Sequence, residues 1–328
     1  MQADPIRAPA RAQDLILRHR VKDYRAGDLE RLYATLPVEE DFFVPYGFVT
    51  RDLQALMHPR TTGLRPFSTA HAREARLILD FIRKRGEVRP RDVNAHFARG
   101  TTRNYWGGRS NATTHLMSQM HYWGMLRVAR REGGVRVYAV REAAPPAPRE
   151  DIRRRLDAIV DAAVHLYAPL PADSLRRVVR SLRFAVPQWR DELPGAIDRA
   201  KTRLSRAHGD GADWFWPAHE RLAAAAPADR VRLLAPFDPV VNDRDRFERL
   251  WGWPYRFEAY TPPRKRERGY YALPLLWRDA VVGWSNLAVR NGRLVCDCGY
   301  AAGRAPRDRA FRDALDEELQ RMRTFLGL

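Results

Sequence analysis

The sequence predicts an α+β fold: tandem winged-helix domains followed by a small antiparallel β-barrel or curved sheet with a C-terminal helix. Three observations predict it. Residues 72–141 carry three helix-spaced segments and then two alternating segments joined through glycines. A second helical series follows a proline-rich stretch at 143–150. From residue 231 the pattern changes to alternating apolar runs, and the chain finishes on an amphipathic segment, 308–328.

Taken in order, AQDLILRHR (12–20) is a short apolar segment that runs out into basic residues. DLERLYATL (28–36) has helical spacing, and EEDFFVPYGFVT (39–50) is an acidic pair followed by an aromatic cluster suited to a core or a pocket wall. RDLQALMHP (51–59) reads as a short helix stopped by Pro59. Residues 1–65 do not look like a complete domain.

In 66–145, AREARLILDFIRKR places Leu77, Ile78, Phe81 and Ile82 on an apolar face, and Gly86 ends the helix. EVRPRDVNAHF (87–97) begins with Pro90 in its first turn, where a missing N–H costs nothing. The loop GTTRNYWGGRS (100–110) leads into the helix NATTHLMSQMHYWGM (111–125). The strands LRVARR and VRVYAVR are joined by Glu132-Gly133-Gly134, a hairpin signal. In a winged helix the third helix can enter a groove while the wing follows the backbone. Arg103, Arg109, His115 and Arg130 are the candidates for exposed contacts. His115 and His121 are read as a partly solvated helix face, since no carboxylate or cysteine completes a metal set.

Residues 146–230 repeat the order, with helices at 152–170, 172–182 and within 187–204, then an aromatic strand in DGADWFWPAHE. Arg153, Arg154, Arg155, Arg176, Arg177, Arg180 and Arg183 give it a basic face. In 231–328, PYRFEAYTP, RGYYALPLLWRD, AVVGWSNLAVR and GRLVCDCGY read as successive strands, with turns at Asp279-Ala280 and Asn291-Gly292. The basic loop 262–268 joins the first two, and the final helix caps the sheet.

Composition bounds the function. Lys+Arg is 58 against Asp+Glu 40 in 328 residues, a formal charge of +18, which favours phosphate backbones or acidic surfaces. Only Lys22, Lys84, Lys201 and Lys265 are lysines, so the charge is almost all arginine. Cys296 and Cys298 lie one residue apart on a predicted strand, a spacing that fits neither a disulfide framework nor a zinc site and suits a reducing cytoplasm. No apolar run approaches the ~20 residues of a membrane span.

The opening stretch puts Gln2 and Asp4 two residues apart, with Arg7 and Arg11 after them. In an extended segment such a pair faces the same way. A carboxylate can activate a water and a neighbouring carboxamide can hold it. On local residues alone, an acidic chain start is a solvated tail.

The C-terminal stretch changes that. Ala235-Pro236-Phe237-Asp238-Pro239 and the block from Tyr260 to Tyr270 closely resemble the signature of the AlkZ/YcaQ-like DNA glycosylases. These are bacterial winged-helix proteins that excise alkylated purines and unhook DNA interstrand crosslinks. The resemblance covers essentially the whole chain. It implies that QADPIRAPARAQDLILRHR is the family's catalytic Gln-x-Asp motif, with Asp4 activating water and Gln2 positioning it. Two departures stand out. Relatives carry a few dozen residues before the motif, building a first winged helix of which 1–65 would be the remnant. Where relatives often show an aromatic-Ala-His-Glu-Ala segment, this chain has Glu40-Asp41-Phe42-Phe43-Val44-Pro45-Tyr46.

The expectations are then a monofunctional glycosylase for N7- or N3-alkylated purines, acting on damaged double-stranded DNA in the cytoplasm at the nucleoid. It needs no metal or organic cofactor, no membrane and no obligate protein partner. The DNA contacts expected are Arg7, Arg11, Arg103, Arg109, Arg264, Lys265, Arg266 and Arg268. The competing class is a non-catalytic winged-helix DNA-binding or regulatory protein, which the same charge would serve. A nuclease is disfavoured, because Asp238, Asp243 and Asp245 read as turn residues rather than a metal cluster.

Overall fold

A computed structural model describes residues 1–60, 67–103, 107–142, 145, 147–221 and 226–328. The fold is α+β, with five small sheets among the described residues, every strand pairing in them antiparallel. The chain divides into two compact units: one holds Met1–Leu29, Val164–Ser174 and Leu204–Leu328, the other Glu30–Ala163 and Leu175–Arg203.

In the second of these units, Val38–Phe42 and Tyr46–Thr50 form a hairpin that the aromatic composition of 39–50 did not announce. Its first strand buries three successive carboxylates, which sequence periodicity reads as solvated. The helix Thr69–Arg85 starts on Ser68, whose hydroxyl accepts from the His71 N–H, and stops at Gly86 with φ 78°. Its buried face is Ala75, Ile78 and Ile82; Leu77 lies one position off that stripe and is 52% exposed, against the expectation of an apolar contact.

Helices Pro90–Phe97 and Ala112–Tyr122 follow, separated by a ribbon of Thr101–Arg103 and Arg109–Asn111. The central part of the loop at 104–106 lies outside the described residues. Leu126–Glu132 and Val135–Val140 turn through Gly133 and Gly134, both at positive φ, and Glu87–Val88 adds a third strand beside Val135–Val140. His121 is only 3% exposed, which corrects the expectation of a partly solvated ring. Helix Leu193–Arg203 ends this unit's sequence, and the unit boundaries fall within helices Arg149–Tyr167 and Ala172–Ser181.

The other unit is organised by a four-stranded sheet in the order Val231–Leu233, Leu273–Trp277, Ala280–Arg290, Arg293–Tyr300. Among the described residues no sheet closes into a barrel, which corrects one of the two shapes expected here. Four strands, one only three residues long, cannot curl back onto themselves. The apolar face is covered instead by helix Arg309–Leu326, through Phe311, Ala314, Met322 and Phe325. The expected strand at 254–262 is an irregular segment: Pro254 and Pro262 offer no N–H to a ladder. Asn291 and Gly292 both take positive φ in the tight turn before Arg293. Gly283 is required by contact, since a Cβ there would stand 2.1 Å from the Gly299 carbonyl oxygen on the neighbouring strand.

A smaller sheet pairs Ala212–Trp216 with Ser205–Gly209 on one side and Leu170–Pro171 on the other.

Candidate active site

The N-terminal segment is anchored in the core of the C-terminal sheet. Ala10, Leu15 and Ile16 join Leu233, Leu273, Leu275, Met322 and Phe325 in one apolar cluster, with Met1, Ile6 and Ala8 packed against it. Two charged clamps hold the segment. Arg18 meets the buried carboxylate of Glu318 at 2.7 Å. Arg20 forks onto both oxygens of Asp238, at 2.8 Å each. Asp238 also accepts from the Val240 N–H, so this aspartate of the 235–239 block fixes a helix start and the N-terminal segment together.

Asp4 sits on this support. The residue is 8% exposed. Its Oδ1 accepts from the Ile6 N–H at 2.8 Å, and its own N–H donates to Gln13 Oε1 at 3.3 Å. Gln13 comes from the helix Ala12–Leu17, whose packing therefore sets the backbone of Asp4. Burial pushes the Asp4 carboxyl above its ordinary value, and the Ile6 hydrogen bond opposes that only in part.

Tyr271 completes the surroundings. Its ring stands edge-on to Phe257, with centroids 5.5 Å apart. Its phenol is pushed up by burial and then by the negative charge of Asp4. Its hydroxyl is buried and has no hydrogen-bond partner among the described residues. A buried orphan hydroxyl is costly in a native core and suggests a ligand or water as its partner. Nothing in the sequence singled Tyr271 out from Tyr270 beside it.

The other expected residues separate into groups. Gln2 is half-buried, Arg7 is exposed and Arg11 is half-buried, with Arg7 and Arg11 facing each other across a backbone bridge. Arg264 and Lys265 are exposed on a single 3-10 turn. Arg266 folds back, donating to the Thr261 carbonyl at 2.8 Å and covering the Tyr270 ring. Arg268 packs over Trp253 and Trp284, at 4.9 and 5.9 Å from their ring centroids. The loop owes its shape to Glu258, which accepts from the N–H groups of Glu267, Arg268 and Gly269. All these residues belong to the unit that holds Asp4. Arg103 and Arg109 belong to the other, directly paired across their ribbon. Arg130 is occupied by Glu87 and Glu132.

A family model described as DNA glycosylase AlkZ-like matches residues 1–325. The chain belongs to the AlkZ-like DNA glycosylase family. DNA is therefore the substrate class, and hydrolysis of an N-glycosyl bond is the family's reaction. No solved structure matches the chain. No helix among the described residues is long and apolar enough to cross a membrane.

Within this AlkZ-like chain, the acidic segment that departs from the resemblance is part of the scaffold. Glu40 accepts from Arg131 at 2.5 and 2.7 Å and from the Tyr46 hydroxyl at 2.8 Å, with Arg136 at 3.3 Å. Asp41 meets Arg60 and His58, each at 2.8 Å. Glu39 is shared by Arg127 and Arg141. Burial alone would raise Glu40 and Asp41, yet the arginines hold both below the ordinary carboxylate range. Such groups stay ionised and saturated, and are unsuited to moving a proton at neutral pH.

The one cluster among the described residues with metal-ligating groups in reach of each other is His165, His219 and Glu220, all exposed, with His165 Nδ1 3.1 Å from Glu220. Asp4 is not among them.

Proposed function

We propose that this chain hydrolyses the N-glycosidic bond of N7- or N3-alkylated purines in duplex DNA, interstrand crosslinks included, and leaves an abasic site without cutting the strand. Alkylation makes the base cationic and already a good leaving group, so no general acid is required. The remaining barrier is an electron-poor sugar that must be stabilised and met by water. Asp4, ionised, does both, and Gln2 orients the water. The observation that carries this reading is a buried carboxylate with a raised pKa whose charge acts on Tyr271, a residue with an unpartnered buried hydroxyl, in a protein of charge +18. A raised pKa makes Asp4 a better base than a solvated aspartate.

Two winged helices, at 66–145 and 146–230, would grip the duplex. The helix order and the hairpins at Leu126–Val140 and Ser205–Trp216 support that assignment. Arg7, Arg11, Arg103, Arg109 and the 264–268 loop are the proposed phosphate contacts.

The deciding experiment is incubation with DNA carrying 7-methylguanine or a nitrogen-mustard crosslink, scoring abasic sites by alkaline cleavage. Strand breaks that appear only after alkali are expected. No release from either substrate would leave a DNA-binding scaffold as the function.

Two further results are expected. Tyr271→Phe lowers the excision rate about tenfold, the effect of one lost hydrogen bond of ~1.4 kcal/mol, with duplex affinity unchanged. An unchanged rate would remove Tyr271 from the site. Arg264→Gln/Lys265→Gln lowers the steepness of log affinity against log salt by roughly 2, since each phosphate contact contributes about 0.9. A slope equal to that of the parent would exclude the loop from the interface.

A further inference from the structure

The unit that holds Asp4 also contains a cavity of about 510 Å3 that neither Asp4, Gln2 nor Tyr271 lines. Its walls are the segment after helix Ala12–Leu17, residue 230 and the last turns of helix Arg309–Leu326. Six cations line it: Arg18, Arg20, Lys22, Arg25, Arg230 and Arg321. The one acidic side chain in the lining is Asp23.

The cations are unequally compensated. Arg18 and Arg321 share Glu318, at 2.7 and 3.1 Å, and Arg321 also reaches Glu317. Arg20 is held by Asp238. Arg25 donates to the Thr324 carbonyl, which satisfies a donor without cancelling its charge. Lys22 and Arg230 are exposed and have no ion-pair partner among the described residues. Burial and then the charges of Arg321 and Arg232 press on Arg230 and lower its pKa. Like charges gathered in a concavity repel one another and raise the local potential for an anion.

The walls add shape. Tyr24 and Phe325 stack with centroids 6.3 Å apart, and Arg18 lies over the Phe325 ring at 5.5 Å. Arg18 is fixed by its buried carboxylate, so part of the cationic surface is rigid before any ligand arrives. The volume lies in the range of small-ligand pockets.

We propose that this cavity is a binding site for a phosphate group, with Lys22 and Arg230 as its free donors and Arg18, Arg20 and Arg321 as its prearranged charge. The phosphate comes either from a DNA strand or from a free phosphorylated molecule. This assignment goes beyond the role of Asp4 and does not depend on it.

The test uses the full chain and two probes: inorganic pyrophosphate by calorimetry, and an undamaged double-stranded oligonucleotide by anisotropy across a salt series. Lys22→Gln/Arg230→Gln is the variant, because both side chains are exposed and neither has an ion-pair partner among the described residues. Arg290→Gln/Arg293→Gln is the control, removing the same charge at the exposed ends of the strands around the Asn291-Gly292 turn. We expect at least a tenfold loss of pyrophosphate affinity in the cavity variant and none in the control. A DNA source adds a salt slope lower by roughly 2 in the cavity variant. A free-phosphate source leaves the slope as in the control. A salt slope lowered by the cavity variant alone, without pyrophosphate binding, assigns the site to the strand. Lys22→Arg/Arg230→Lys should retain whichever effect is seen. Equal behaviour of cavity variant and control with both probes overturns the proposal.

Discussion

Asp4→Asn abolishes base release, leaves duplex affinity unchanged and raises the melting temperature. The first effect is the loss of a general base, about 100- to 10,000-fold. The second follows because the net charge of +18 changes little when one carboxylate is removed. The third follows from linkage. The folded Asp4 has a raised pKa, so its ionised form costs stability at neutral pH, and that cost is relieved as pH falls through the folded value. Asparagine keeps the acceptor for the Ile6 N–H and removes the buried charge. A residue kept for the fold would give the opposite sign, a lower melting temperature. Excision that survives the substitution would reject Asp4 as the base. The same raised pKa sets the acid side of the activity profile: rate falls with decreasing pH, with a midpoint above that of an exposed aspartate.

Glu40→Ala should be strongly destabilising in the unit Glu30–Ala163 and Leu175–Arg203. It leaves Arg131, Arg136 and the Tyr46 hydroxyl without their shared acceptor in a fully buried place. Breaking a buried pair in this way costs about 3–5 kcal/mol in a denaturant titration. A loss below about 1 kcal/mol would mean that water takes the carboxylate's place. Acid should act on the same region in two stages. His121, pushed down to about 4 by burial, and His58, lowered by burial against the pull of Asp41, hold fewer protons folded than unfolded. Stability is therefore lost as pH falls from the unfolded histidine value toward the folded ones. Glu40 and Asp41, depressed by their arginines, add a second loss below the ordinary carboxylate range.

What could be read in advance follows the range of the signal. The helices Thr69–Arg85, Pro90–Phe97 and Ala112–Tyr122 and the Gly133-Gly134 turn are written in local spacing and turn chemistry, and they appear where expected. The hairpin Val38–Thr50 was hidden because three successive residues of its first strand, Glu39, Glu40 and Asp41, are buried against arginines distant in sequence, Arg127, Arg131 and Arg141, or, for Asp41, Arg60 beyond the next helix. The strand expected at 254–262 is absent because Pro254 and Pro262 bring no N–H to a ladder, while the Glu258 side chain takes the N–H groups of the following loop. Gln2 and Asp4 are singled out as candidates only through likeness to a family. The segment that buries Asp4 is held by Arg20 meeting Asp238 and by Leu15 meeting Phe325's cluster, contacts that no window of neighbouring residues contains. Tyr271 was missed for the same reason.

The clamp between Arg20 and Asp238 ties the order of folding to the Asp4 segment. That segment is seated against strands and a helix more than two hundred positions further along the chain. Contacts of such long range form slowly. The pocket around Asp4 therefore closes only once the four-stranded sheet and helix Arg309–Leu326 are in place, and a variant lacking that helix leaves the Asp4 segment unseated.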